Sequence, residues 1–297
     1  LIKGVDAKYG VDVWKDVFYV TTDEGAPNKR VFKVDPARPE RARWKELIAE
    51  DKGLAIESVT IVGGHLAASG LRNAVSEVKL FTLAGKPVRT VPLPGIGTAS
   101  NLLGLEDDDE AYYAFSSFTM PPRIFKTEVK TGKSELWAKV EVPIDPAPYT
   151  VSQVFYPSKD GTKISMFLVH RKGLKLDGTN PTLLTGYGGF SVSSTSSFSA
   201  RAALWVESGG VFALPNLRGG GEFGEAWHKA GMLEKKQNVF DDFIAAAEWL
   251  IANKYTSPAK LAAQGGSNGG LLVGAVINQR PDLFRVAIPQ VGVMDML

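Results

Sequence analysis

Cysteine is missing from all 297 residues. Its absence excludes disulfides, thiol nucleophiles and thiolate metal sites together, and it suits a reducing compartment without requiring one. Histidine is scarce, at three residues, so any chemistry built on imidazole has few candidates. No long uncharged apolar run occurs, which excludes a membrane-spanning helix and a membrane as partner. Neither sign of charge dominates: 34 basic residues stand against 32 acidic ones, interspersed, for a net charge of +2. Such a surface carries no footprint for nucleic acid or anionic lipid, and a polyanionic substrate is not expected. An initiator methionine and a signal-peptide pattern are also missing from the start, Leu1-Ile2-Lys3. The chain is therefore expected to be an internal piece of a longer polypeptide. The compartment, cytoplasmic or periplasmic, stays open.

What is present is an ordinary globular composition, 44% hydrophobic and 22% charged. The length exceeds the roughly 250 residues at which single cores tend to split, so two domains are expected. Residues 1–142 carry a repeat. Apolar strands centred on Tyr19, Leu66 and Tyr113 are each followed by a second strand, at Phe32, Leu80 and Phe125. The spacings are 47 and 47 residues for the first set and 48 and 45 for the second. Turn residues recur after the second strands, at Asp35-Pro36, Ala84-Gly85-Lys86-Pro87 and Thr131-Gly132-Lys133, where a meander has to reverse. Short strands at a period of about 40 to 50 residues predict propeller blades, about three of them, too few to close a ring. An antiparallel sandwich with coincidental spacing is the alternative.

The stretch Val142-Pro143-Ile144-Asp145-Pro146-Ala147-Pro148 is proline-dense and aperiodic, and predicts a linker. It opens a second domain, residues 143–297. Strands are predicted at Val151–Tyr156 and Ile164–His170, turned by Lys159-Asp160-Gly161-Thr162. Buried-type strands at Thr182–Thr185, Val211–Pro215 and Leu261–Gln264 then alternate with helical segments, the order of a mainly parallel sheet covered by helices, and a further strand is predicted at Val286–Val291. The clearest helix is predicted to start at Asn238 as cap and to bury Phe240, Phe243, Ala247, Leu250 and Ile251.

Gly265-Gly266-Ser267-Asn268-Gly269-Gly270 lies between the strand Leu261–Gln264 and a helix over Leu271–Asn278 that Pro281 stops. Gly-x-Ser-x-Gly in that context is a nucleophile elbow, in which the serine hydroxyl is lifted above the sheet on a strained turn. Ser267 is the predicted nucleophile, and the backbone N–H of Asn268 is a predicted oxyanion donor. A glycine-rich turn without chemistry is the plainer alternative. Gly219-x-Gly221-x-x-Gly224 also spells a dinucleotide fingerprint, but it lacks the following helix and second strand. Asp241 and Asp242, at the distance of a ribose-binding acid, are explained as first-turn carboxylates facing the helix macrodipole. No cofactor and no metal are implied. In this fold the triad runs Ser, then Asp or Glu, then His. His65, His170 and His228 all precede Ser267, so none is a good candidate for the base, and Asp282 and Asp295 have no histidine to serve.

Six motifs carry a family resemblance: Tyr187-Gly188-Gly189-Phe190, Asn216 to Gly224, Trp227 to Gly231, Lys236 to Phe243, Gly265 to Gly270, and Asn278 to Phe284. With them the chain resembles the middle of the prolyl oligopeptidase family, serine peptidases in which a β-propeller caps an α/β-hydrolase domain. The resemblance implies a partial propeller followed by an incomplete hydrolase domain. It implies cleavage of short peptides after proline, in a protein that is monomeric when complete. It implies Ser267 as nucleophile, with Asn268 and the Tyr187 hydroxyl as oxyanion donors and Phe190 and Val293 lining an apolar proline pocket. It places the remaining pocket residues and the triad Asp and His outside these residues, so the chain alone is expected to be inactive. The sequence departs from the family at Ser191, where asparagine is usual, and at Pro215, where a small residue is usual. A serine esterase or acylaminoacyl peptidase is the second functional reading, because the elbow does not choose between ester and peptide. A non-catalytic propeller scaffold is the third.

Overall fold

Short strands closed by tight turns fill the first part of the computed structural model, which describes residues 2–143 and 145–295; Leu1, Ile144 of the proline-dense stretch, Met296 and Leu297 lie outside the described residues. The chain divides into two units. One runs to Ser116 and adds Pro121–Glu141 and Phe223–Glu225; the other comprises Ser117–Met120, Val142–Glu222 and the residues from Ala226 onward.

The first unit holds three separate antiparallel sheets. They are β1 to β4 (Tyr9–Trp14, Val17–Thr22, Arg30–Val34, Lys45–Ile48), β5 to β8 (Ala55–Val62, His65–Arg72, Val75–Thr82, Pro87–Thr90), and β9 to β13 (Thr98–Ala99, Leu103–Gly104, Glu110–Ser117, Met120–Glu128, Ser134–Lys139). Each is a meander in chain order, and in the third the two-residue β9 pairs beside β10 on β11. The residues that mark the repeat occupy equivalent places: along the paths β1 to β4, β5 to β8 and β10 to β13, Tyr19, Leu66 and Tyr113 lie on second strands and Phe32, Leu80 and Phe125 on third strands. This is blade architecture, not a two-sheet sandwich. Burial differs among the strands: β6 is covered along most of its length, whereas β8 and β13 are largely exposed and carry Arg89, Glu135 and Lys139. Charge on an outer strand keeps its unpaired edge from joining another chain. Neighbouring sheets share a core, with Tyr19 and Val31 of the first packed with Ile56, Leu66 and Ala68 of the second.

The second unit is built on one six-stranded sheet in the order β14-β15-β17-β16-β18-β19. Its strands are Tyr149–Pro157, Lys163–Arg171, Thr182–Thr185 (β16), Val211–Pro215 (β17), Leu261–Gly266 (β18) and Val286–Gln290 (β19). The hairpin β14–β15 and the pair β15–β17 are antiparallel, and the other three pairings are parallel. The helices are α1 (Ala200–Glu207), α2 (Glu225–Lys229), α3 (Gln237–Ala252) and α4 (Asn268–Gln279). The core joins Ile164, Met166, Leu168, Leu184 and Ala213 of the strands to Phe243, Ala247 and Leu250 of α3 and Leu272 and Val276 of α4. This is the α/β-hydrolase part of the fold. Asn238 does not cap α3. Its side chain donates to the Ala230 carbonyl at 2.9 Å, and the helix is entered through a 3-10 turn, Leu233–Lys235, with Lys236 already helical at φ −59°, ψ −29°. A helix continued from a tighter turn needs no β-region cap residue. None of the described helices is long and apolar enough to cross a membrane.

Candidate active site

The sheet of the second unit reverses direction at one place. From β16 the chain crosses to β17 through α1, returns across β16 to β18 through α3, and moves on to β19 through α4. Parallel crossovers are right-handed, so the reversal sends α1 to one face and α3 and α4 to the other. Contacts between α3 and α4 agree with this. The connections leaving β16 and β18 therefore diverge, opening a crevice at the carboxyl ends of those strands, the place where open α/β sheets bind ligands. Thr185 pairs with Gln264 near those ends; Tyr187 lies just beyond the first and Ser267 just beyond the second.

Ser267 sits exposed between β18 and α4 with φ 56° and ψ −120°, a backbone conformation that costs about 1 to 3 kcal/mol and persists only where its surroundings over-determine it. The surroundings can be named. The Ser267 N–H donates to Gln290 O of β19 at 3.0 Å, and its carbonyl accepts from Gly270 N at 2.8 Å and Leu271 N at 3.1 Å. A Cβ on Gly265 would lie 2.2 Å from Gly269 O, so strand and helix approach as closely as only glycine allows. Asn268 opens α4, which leaves its N–H without a partner inside the helix, at the positive end of the helix dipole. The Ser267 hydroxyl makes no hydrogen bond among the described residues.

The loop after β16 is fastened to this elbow. The buried Asn268 side chain donates through Nδ2 to the Tyr187 carbonyl, and its Oδ1 accepts from Lys236 Nζ at 3.0 Å. Lys236 Nζ also donates to Gly188 O at 2.9 Å. Burial pulls the Lys236 ammonium below its ordinary pKa. The structure thus brings Tyr187 and Asn268 together. Phe190 and Ser191 follow with φ of 54° and 57°. Asparagine tolerates that region better than serine, so the departure at Ser191 adds local strain. The strain is contained by Ser191 N donating to Gly219 O at 3.1 Å and Val192 N to Gly189 O at 3.0 Å. His228 Nδ1 lies 2.8 Å from Gly219 O and 3.1 Å from Ser191 N, which makes it a brace of this loop. His170 Nδ1 is engaged by Arg171 O and His65 Nδ1 by Gly63 O. Phe190 is 74% exposed and Val293 44%, and no described contact joins them.

The glycine run is spoken for as well. Gly219 faces Gly188 O and Gly221 faces Ser191 O, with no room for a Cβ at either, so the run backs the loop. Pro215 still pairs with Met166, and β17 reaches its full length.

Asp242 corrects the expectation of a dipole-facing carboxylate. It lies beyond the first turn of α3, fully buried, and receives Arg218 Nη2 at 2.6 Å, Arg218 N at 3.0 Å and the Ser158 hydroxyl at 2.6 Å. Asp160 binds the outer side of the same guanidinium, and that contact with the Thr162 N–H lowers its pKa to about 2. Asp241 instead accepts from Gln237 Nε2. The sequence marks these residues only as parts of motifs. Their partners lie 24 and 58 positions apart, and no local pattern announces the network or the Lys236 contacts. A cleft of about 640 Å³ in this unit is lined by Lys159, Gln237, Asp241, Glu248 and Arg280 and includes none of the predicted site residues. No group of metal-ligating side chains occurs among the described residues.

Residues 1–140 match the N-terminal β-propeller domain of prolyl oligopeptidase, and residues 196–297 match the prolyl oligopeptidase family. The chain is 47% identical to the prolyl endopeptidase of Elizabethkingia meningoseptica over 298 residues, covering 100% of this chain and 42% of that protein. It is 36% identical to the dual function macrocyclase-peptidase of Galerina marginata, over 94% of this chain and 39% of that protein. A solved prolyl endopeptidase structure superposes with a TM-score of 0.96 at 62% identity, covering 99% of this chain and 44% of that one. Prolyl oligopeptidase B of Galerina marginata, solved with a 25-residue macrocyclization substrate, superposes with a TM-score of 0.91 at 36% identity, over 98% and 41%. The chain spans about two-fifths of the length of the curated relatives it matches.

Proposed function

We propose a function that follows from the family: this chain belongs to the prolyl oligopeptidase family, and in the whole protein it supplies the nucleophile of a serine endopeptidase cleaving short peptides after proline. The observation that carries the reading is Ser267, exposed and held at positive φ between β18 and α4 at the switch point of the sheet. In this reading the Ser267 hydroxyl attacks the carbonyl of the prolyl residue. The tetrahedral oxyanion that forms is received by the Asn268 N–H and the Tyr187 hydroxyl; its C–N bond then breaks, the amine leaves with the proton the general base took from Ser267, and water hydrolyses the acyl-enzyme that remains. Phe190 and Val293 offer apolar area to the pyrrolidine ring, which has no backbone N–H to recognise. None of the three histidines bonds Ser267, and the general base is assigned to the remainder of the whole protein.

The test is the full-length protein with a succinyl-Gly-Pro substrate and its alanine counterpart. The prolyl substrate should be cut much faster, and Ser267→Ala should abolish cleavage while the thermal midpoint is kept. Equal rates on the two substrates would sink the proline reading and favour an esterase or acylaminoacyl peptidase. Activity surviving in Ser267→Ala would remove Ser267 from its role. Absence of fluorophosphonate labelling in the unmutated protein would favour a scaffold.

A further inference from the structure

We propose that Lys236 is a positioning residue for the oxyanion hole, locking the Asn268 amide in one orientation and tying the Tyr187 loop to the nucleophile elbow. The inference rests on the reading above, because it concerns the same site.

An ammonium donates and cannot accept. With Lys236 Nζ at 3.0 Å, the Asn268 oxygen must face the lysine, so the amide nitrogen must face the Tyr187 carbonyl, as found. The same Nζ holds Gly188 O at 2.9 Å. Two successive carbonyls of the loop are thereby fixed, one directly and one through Asn268. The fit is close, since a Cβ on Gly189 would come within 2.6 Å of Asn268 Nδ2.

The location is a poor one for a cation on any other account. Lys236 is partly buried, and both of its hydrogen-bond partners are neutral oxygens. It also stands at the N-terminus of α3, where the helix dipole disfavours positive charge. A leucine or methionine there would avoid both penalties. What offsets them is the pair of charge-assisted bonds to the residues that carry the two oxyanion donors. Tyr187 and Asn268 come from different connections; the β16–β18 pairing and the close approach of Gly269 to Gly186 O bring them near each other, and the clamp adds the side-chain ties that fix how the loop faces the elbow. Catalysis by pre-placed donors depends on that placement.

The experiment is a double-mutant cycle in the full-length protein with Lys236→Met and Asn268→Ala, the latter keeping its backbone N–H. The rate constant for the prolyl substrate, its KM, the thermal midpoint and the rate of fluorophosphonate labelling are read for each. Labelling uses the nucleophile and the oxyanion hole but no proline pocket. Lys236→Met should lower the rate constant by about tenfold or more, short of the 10² to 10³ expected for loss of a whole donor, with KM nearly unchanged and labelling slowed in parallel. In the Asn268→Ala background the same change should cost little more, because the clamp is already open. If Lys236→Met does not fold, Lys236→Gln, which removes the charge and shortens the reach, takes its place in the cycle. Multiplicative losses, or a variant labelled and active at the unmutated rate, would overturn the clamp alone. An unmutated protein that is not labelled at all would overturn the reading of the site instead.

Discussion

At the residue scale, the Tyr187 hydroxyl and the Asn268 N–H have different standing. The N–H is placed by the helix it begins, whereas the hydroxyl is placed by a loop whose carbonyls are tied down at Tyr187 and Gly188. Tyr187→Phe keeps those ties and removes only the proposed donor. In the full-length protein it should reduce the rate constant by about 10² to 10³, roughly 2.7 to 4 kcal/mol, with little change in KM. A loss confined to KM would show that the hydroxyl does not meet the developing charge. A second residue-scale test concerns Asp160, whose carboxyl the Arg218 guanidinium and the Thr162 N–H hold at about 2, against about 3.9 for an ordinary aspartate. A depressed carboxyl pKa adds stability that is fully present above about pH 4 and is lost as pH falls toward 2. Asp160→Asn should therefore flatten the acid dependence of the thermal midpoint across that window. The effect is modest because the side chain is about half exposed. Identical slopes for the two proteins would exclude Asp160 from the acid response.

At the element scale, glycines in α4 and β18 separate close approach from helix propensity. Gly265→Ala would bring a Cβ to 2.2 Å from Gly269 O and 2.5 Å from Gly269 C, backbone atoms that cannot step aside. Overpacking of this kind costs about 1 to 3 kcal/mol, and here it also displaces Ser267, so both stability and labelling rate should fall. Gly274→Ala meets only the terminal atoms of Met294, at 2.9 and 3.1 Å, the end of a flexible side chain. Relieving a mid-helix glycine gains up to about 1 kcal/mol, so this variant should be neutral or more stable. Equal destabilisation by both substitutions would show that crowding at the elbow is not what sets the cost. These elements also show what could be read in advance. The elbow was legible because its requirements are local: a strand, a turn that excludes Cβ atoms, a helix. The start of α3 was not, because the helix grew out of a preceding turn, which places Asn238 inside the first turn with its amide nitrogen donating to Ala230 O. Asp242 looked like a first-turn carboxylate because nothing in its neighbourhood reveals an arginine 24 positions away. Lys236 stands in a motif that assigns it no role, since its partners come from two other connections.

At the scale of the whole molecule, the repeat was legible because each sheet runs through a meander of four strands, with β9 added in the third, which returns apolar residues to equivalent strands. The hydrolase sheet was legible in type but not in order, since hydrophobic runs do not say that β17 lies between β15 and β16. The polypeptide of residues 1–297 is expected not to hydrolyse the prolyl substrate. It presents Ser267 and both proposed donors, yet His65, His170 and His228 are each engaged elsewhere, and an unactivated serine is a weak nucleophile. Hydrolysis by this polypeptide at the rate of the full-length protein would require a base from within it and would return His228 to consideration.

One bond of the elbow has a further use. The Ser267 amide proton is given to Gln290 O on β19, the last strand of the described sheet. In heavy water that proton is replaced only when the contact opens, so its lifetime is a clock for breathing of the sheet beside the Ser267 hydroxyl. Ser267→Ala keeps this amide while removing the hydroxyl. In that silent protein, a peptide settling into the crevice should slow the clock without being cut. Deuterium uptake at one backbone position then reports occupancy of the site separately from turnover.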